Sequence, residues 1–226
     1  MFLARSLAHP LRRSPRRGVS LVELLVVLAI MLLIFAMAGV LIGPPLRKAR
    51  LAGAANDLAV LARRVAVEAR TQRGGQGLFV FLKATPATGV FELVADTNPA
   101  PGGNGSFQDP SGGGAVDSVI TTVQRFQLPA GIVFTNLPAP YDNCWSNWSV
   151  PNATAFVLGI DFQGRTVAHT GRQITGIASV NLTHADMASG AVTPLVVHRL
   201  TFGPVWNVRQ TRLVKDPAAA SGWREF

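Results

Sequence analysis

The chain has one cysteine in 226 residues, Cys144, which excludes an intramolecular disulfide. Whatever folds must be held together by packing. The four histidines, His9, His169, His184 and His198, are scattered, and no His-x-x-x-His or Cys-x-x-Cys spacing offers a preformed metal site. There is no Gly-x-Ser-x-Gly elbow and no phosphate-cradling loop. Asp142, Asp161 and Asp186 sit among turn residues, where aspartate bonds the local backbone. Cys144 has no histidine near it in sequence and reads as a small half-buried hydrophobe rather than a nucleophile. The expectation is a protein that is not an enzyme and needs no cofactor.

No acidic residue precedes Glu23, and none of any charge occurs from Leu24 to Ile42. The formal charge of +9 comes from 21 basic and 12 acidic side chains. Five of the basic ones, Arg5, Arg12, Arg13, Arg16 and Arg17, lie before Gly18, so 16 basic face 12 acidic residues in the remainder, a net of about +4. The excess is therefore topogenic: it holds the amino terminus in the cytoplasm and sends the rest across. A helix over Leu24–Ile42 rises about 1.5 Å per residue and so matches a bilayer core of about 30 Å. An ordinary signal peptide has an apolar region of about 7 to 15 residues ending at a small-residue cleavage site. Here the run is longer and ends at Gly43-Pro44-Pro45 without an Ala-x-Ala. Inside such a segment a carboxylate costs about 2.5 to 3.5 kcal/mol, so Glu23, near the end of the run, either reaches the headgroups or calls for a partner.

The pattern Arg16-Arg17-Gly18-Val19-Ser20-Leu21-Val22-Glu23, followed by Leu-Leu-Val-Val-Leu-Ala-Ile, resembles the signal of type IV prepilins and type II secretion pseudopilins. The resemblance implies cleavage by a prepilin peptidase between Gly18 and Val19, with methylation of the new amino terminus at Val19. It also implies that Glu23, fifth after the cut, pairs with the terminal ammonium of a neighbouring subunit in a filament. Val19 stands where the family usually has phenylalanine, and Pro44-Pro45 come a few residues later than its common helix-kinking proline.

Beyond Pro45, apolar positions Leu51, Ala55, Leu58, Ala62, Val65 and Ala69 recur at spacings of four and three, and Arg50, Asp57, Arg64 and Arg70 lie off that stripe. This predicts a helix from Ser20 to Arg73, on the order of 80 Å by its rise, bent or locally melted at Gly43-Pro44-Pro45 and stopped by Gly74-Gly75. After Gly77 come β-rich runs: Leu78–Lys83, Val90–Ala95, Val119–Leu128, Ile132–Thr135, Ala155–Phe162, Thr166–His169, Leu195–Phe202 and Val205–Val208. Asn98–Gly114 reads as a flexible excursion. The expected fold is α+β, a long amino-terminal helix packed on a carboxyl-terminal antiparallel β domain as in pilins. Its parts are a cleaved leader over 1–18, a membrane and assembly half of the helix over 19–43, an amphipathic periplasmic half over 44–75, and a β domain over 76–226.

Two further patterns look like the GspH/FimT branch of pseudopilins and minor pilins: Arg70-Thr71-Gln72-Arg73-Gly74-Gly75 before a β run, and Phe162-Gln163-Gly164-Arg165 between late strands. The resemblance implies a minor pseudopilin of a type II secretion system, single-pass in the inner membrane with its β domain in the periplasm. Its partners would be sibling pseudopilins and an inner-membrane assembly platform. The second reading is a minor pilin of a pilus or DNA-uptake machine, with Arg209 and Arg212, near Trp206, Trp223 and Phe226, as the DNA contacts. Trp145 and Trp148 read as anchors of a loop onto the core.

Overall fold

The computed structural model describes residues 20–71, 79–97, 104–110, 117–120, 125–141, 143–191 and 193–226. It divides into two compact units, one ending at Gly43 and the other running from Pro44 to Phe226. Helix α1 spans Leu21–Thr71 and is assigned through Pro44 and Pro45. The local melting expected there does not occur, although each proline still withholds a donor from the helical ladder. Arg73 and Gly74-Gly75 lie outside the described residues. At Thr71 the side-chain hydroxyl donates back to the carbonyls of Val67 and Glu68, at 3.2 and 3.0 Å.

In the second unit twelve strands follow among the described residues: β1 Val80–Thr85, β2 Val90–Ala95, β3 Ser118–Val119, β4 Phe126–Gln127, β5 Ile132–Phe134, β6 Ser149–Asn152, β7 Ala155–Ile160, β8 Thr166–Val167, β9 Ala178–His184, β10 Val196–Phe202, β11 Val208–Lys215 and β12 Trp223–Glu225. A short helix, α2, spans Ala185–Ala188. All pairings between strands are antiparallel. One sheet runs β3-β2-β1-β7-β6, with β4 on β2 and β8 on β7; the other runs β12-β11-β10-β9-β5. The fold is thus α+β, a long apolar amino-terminal helix followed by an antiparallel β domain, as in pilin-like folds.

The predicted stripe of α1 is the one that is buried: Leu51, Ala55, Leu58, Ala62, Val65 and Ala69 are at most 3% exposed. They join Val80, Leu82 and Ala84 of β1, Leu158 and Ile160 of β7, Val180 and Leu182 of β9 and Leu200 and Phe202 of β10 in one core. A further tie is Trp206, whose indole Nε1–H donates to the Ala62 carbonyl at 3.0 Å. The opposite face of the first sheet buries Phe81, Val94, Val157 and Val167 under Phe107. Asn104–Pro110 is therefore a packed flap in its described part rather than the loose excursion expected of that region.

Two of the expected strands came out differently. The single run Val119–Leu128 is the two short strands β3 and β4 on successive parts of β2. The run Val205–Val208 is replaced by the longer β11, and Val205 makes only an isolated bridge to Arg165. Strands β6, β9 and β12 were not anticipated. In β9 every residue is buried, because Ser179, Asn181 and Thr183 alternate with Ala178, Val180 and Leu182 and both faces are covered.

Candidate functional site

At the start of α1, Ser20 acts as a cap. Its hydroxyl accepts from the Val22 N–H at 3.3 Å and its carbonyl from the Leu24 N–H at 3.1 Å. Ser20-x-x-Glu23 has the spacing of a capping box, and an acid in the first helical turn complements the positive end of the helix dipole. That signal was legible in the sequence, and it gives Glu23 a local reason to stand where it does. Among the described residues no basic group pairs with Glu23. Gly18 and Val19 lie outside the described residues.

From Leu21 to Met37 the large apolar side chains of α1 are exposed on every side of the helix, up to 76% at Leu21 and 71% at Phe35. A helix apolar all round is one that lipid or other helices cover. It is long and apolar enough to cross a membrane.

Several ionisable groups of the β domain bond to its backbone or pair with one another. Buried Asp161 accepts from the Gln163 and Arg165 backbone N–H groups at 2.9 and 2.8 Å, and from Arg165 Nε at 2.6 Å. This ties the Phe162-Gln163-Gly164-Arg165 turn that joins β7 to β8, with Gly164 at a φ of +81° that favours glycine. Asp96 accepts from the N–H groups of Asn104 and Gly105, and Asp117 from those of Thr97 and Gln108. Lys83 Nζ lies 2.7 Å from Asp109 and 3.9 Å from Glu92, which also pairs with Arg125. Burial pushes the Cys144 thiol up to about 11, which favours its protonated form at neutral pH. Burial, then the nearby Arg212 charge, lowers His198 to about 4 and keeps it neutral. Among the described residues no cluster of three potential metal ligands occurs.

Arg209 and Arg212 both lie on β11 and are exposed, but the structure does not bring them together. The β10–β11 register runs unbroken from Val196↔Val214 to Phe202↔Val208, so residues three apart point to opposite faces of the sheet. Arg212 also sits over the Phe226 ring at 5.6 Å, Arg199 over Tyr141 at 5.6 Å, and Arg224 pairs with Asp216 at 2.7 Å. Trp145 and Trp148 do anchor their loop. Trp145 stacks on Phe156 and lies tilted against Phe134, with ring centres at 4.8 and 4.6 Å, and Trp148 meets Phe202 edge-on at 5.7 Å. Trp145 holds a φ of 67°, a left-handed conformation unfavourable for a bulky residue, so its ring contacts must offset a backbone cost of about 1–3 kcal/mol.

The family model of the prokaryotic N-terminal methylation motif matches residues 13–39. The chain carries a type IV prepilin-like signal. The matched stretch contains Gly18, Val19 and Glu23 and the greater part of the exposed apolar helix, and ends before the β domain. A signal of this type implies a substrate of a prepilin peptidase and filament assembly with other pilins in general, and the helix is compatible with a single-pass membrane anchor. Neither a curated protein nor a solved structure matches the chain.

Proposed function

We propose that this pilin-like chain is a minor pseudopilin of a type II secretion system. It is cut between Gly18 and Val19, methylated at Val19, and inserted through α1 into a short periplasmic filament on an inner-membrane assembly platform. The observation that carries the reading is the uncovered apolar helix with Glu23 in its first turn, followed by a separately packed β domain. Stored in the bilayer, the helix exchanges lipid for sibling helices on assembly, and Glu23 neutralises the new terminal ammonium of a neighbour in a medium where an unpaired charge is heavily penalised. The Phe162–Arg165 turn between β7 and β8 supports the GspH/FimT branch.

The role is mechanical and adaptor-like, without chemistry of its own. The protonated Cys144, the neutral His198 and the backbone-bound carboxylates of Asp96, Asp117 and Asp161 favour that reading. A pilus or DNA-uptake role uses the same anchor. Export is preferred because Arg209 and Arg212 share no face on which a phosphate backbone could meet both. Deleting the gene tests the choice: exported enzymes should accumulate in the periplasm while twitching and transformation stay normal. The reverse pattern overturns the secretion assignment.

A further inference from the structure

Between Leu46 and Thr71, α1 has a second face, turned away from the sheets. Leu46, Gly53, Val60 and Val67 recur every seven residues along it, and the three large ones are 46%, 58% and 53% exposed. A side chain at Gly53 would meet nothing within 4 Å, so another backbone can come close there. A seven-residue apolar repeat is the spacing of a helix–helix seam. One flanking row is Ala49, Asn56, Arg63, Arg70; the other is Arg50, Asp57, Arg64, Thr71. Four exposed arginines thus face one aspartate. None of the four has a salt-bridge partner among the described residues. The seam borders a groove of about 690 Å³ lined by Asp57, Val60, Leu61 and Arg64 of the helix and by Arg125 and Phe126.

We infer that this seam docks an acid-faced helix of a different pilin-like subunit and rejects a second copy of this chain. Helices pack with axes about 8–10 Å apart, which brings flanking charges within about one Debye length. Two copies would set arginine rows against arginine rows in either orientation. A partner with glutamates or aspartates beside its own apolar seam converts the same contacts into attraction, so the charge pattern selects a heterotypic neighbour. Only the partner's class, a pilin-like subunit, rests on the functional reading above; the sign of its charge comes from the seam.

The test makes an acidic mimic from the chain itself. Full-length protein in detergent micelles, with Cys144→Ala and Val60→Cys, is mixed with a differently tagged copy that also carries Arg50→Glu, Arg63→Glu, Arg64→Glu and Arg70→Glu, and is then oxidised. Disulfide-linked heterodimer should exceed the basic–basic homodimer by about tenfold at low salt, and the excess should shrink at about 1 M salt. Equal yields in both pairings, or a heterodimer yield no higher than with cysteine at exposed Val150, overturn the inference. Tryptophan fluorescence checks that the acidic copy is folded; if it is not, Arg63→Glu with Arg64→Glu takes its place and the same ratio decides. The assay needs neither cleavage nor a filament, so its failure is separate from failure of the pseudopilin reading.

Discussion

Leu58 and Val60 lie two residues apart on α1, yet the first is 1% exposed in the core and the second 58% exposed. Leu58→Ala removes three carbons, about 2.4 kcal/mol of transfer free energy at about 0.8 kcal/mol each. The space left between α1 and two sheets cannot fully collapse, which brings the expected loss to about 3–5 kcal/mol. Val60→Ala removes two exposed carbons and improves helix propensity, so its effect should stay within about 0.5 kcal/mol of zero. The assay is urea or thermal unfolding of the full chain in detergent, followed by tryptophan fluorescence. All four tryptophans, Trp145, Trp148, Trp206 and Trp223, lie in the unit that begins at Pro44, so the signal reports on the β domain and not on the apolar segment. For a unit of this size about 3 kcal/mol corresponds to a midpoint lower by roughly 6–12 °C. A loss below about 1 kcal/mol for Leu58→Ala, or equal losses for both variants, would refute the packing of this helix face on the sheets.

Gly18→Leu should leave uncut precursor in the membrane, visible as slower migration on gels; a mature-sized product sinks the cleavage assignment. Glu23→Ala should be processed normally but recovered poorly in sheared filaments, and unchanged recovery would leave the glutamate only its place in the first helical turn. His198, lowered to about 4 in the fold against about 6.5 unfolded, contributes stability that is fully present above about pH 6.5. That contribution falls as the pH drops toward 4, where the loss levels off at on the order of 2 kcal/mol after solvent screening. His198→Leu should flatten this part of the stability profile, and an unchanged slope in the variant would assign the pH dependence elsewhere.

The helix was legible because its stripe depends on local spacing alone: Leu51, Ala55, Leu58, Ala62, Val65 and Ala69 repeat with the period of one turn. The strands were legible where apolar residues cluster, as in Val90–Ala95, and illegible where burial is polar. Ser179 and Asn181 are covered by the 143–146 segment, which bonds to Ser179 through the Trp145 N–H and the Ser146 carbonyl and meets Asn181 through Cys144, while the Thr183 hydroxyl donates to the Val196 carbonyl. Nothing local in Ala178–His184 announces that cover. Ending the last expected strand at Val208, where β11 in fact begins, hid the alternation that sets Arg209 and Arg212 apart. The Trp206–Ala62 bond joins residues 144 apart in the chain, a distance over which no spacing rule operates. At the assembly end the reverse holds. Gly18, Val19 and Glu23 are recognisable by pattern, because the methylation motif they fall in is a short linear stretch.

The burial of one α1 face has a mechanical consequence. The buried face from Leu51 to Ala69 shares one core with strands of both sheets, is stitched at Ala62 by Trp206 and joined near Arg47 to Asp186 at 2.9 Å. Tension applied along the helix therefore loads these contacts in shear, all at once, rather than peeling them one by one. The shortest pairings, those of β3, β4 and β8 with two residue pairs each, lie outside these helix contacts.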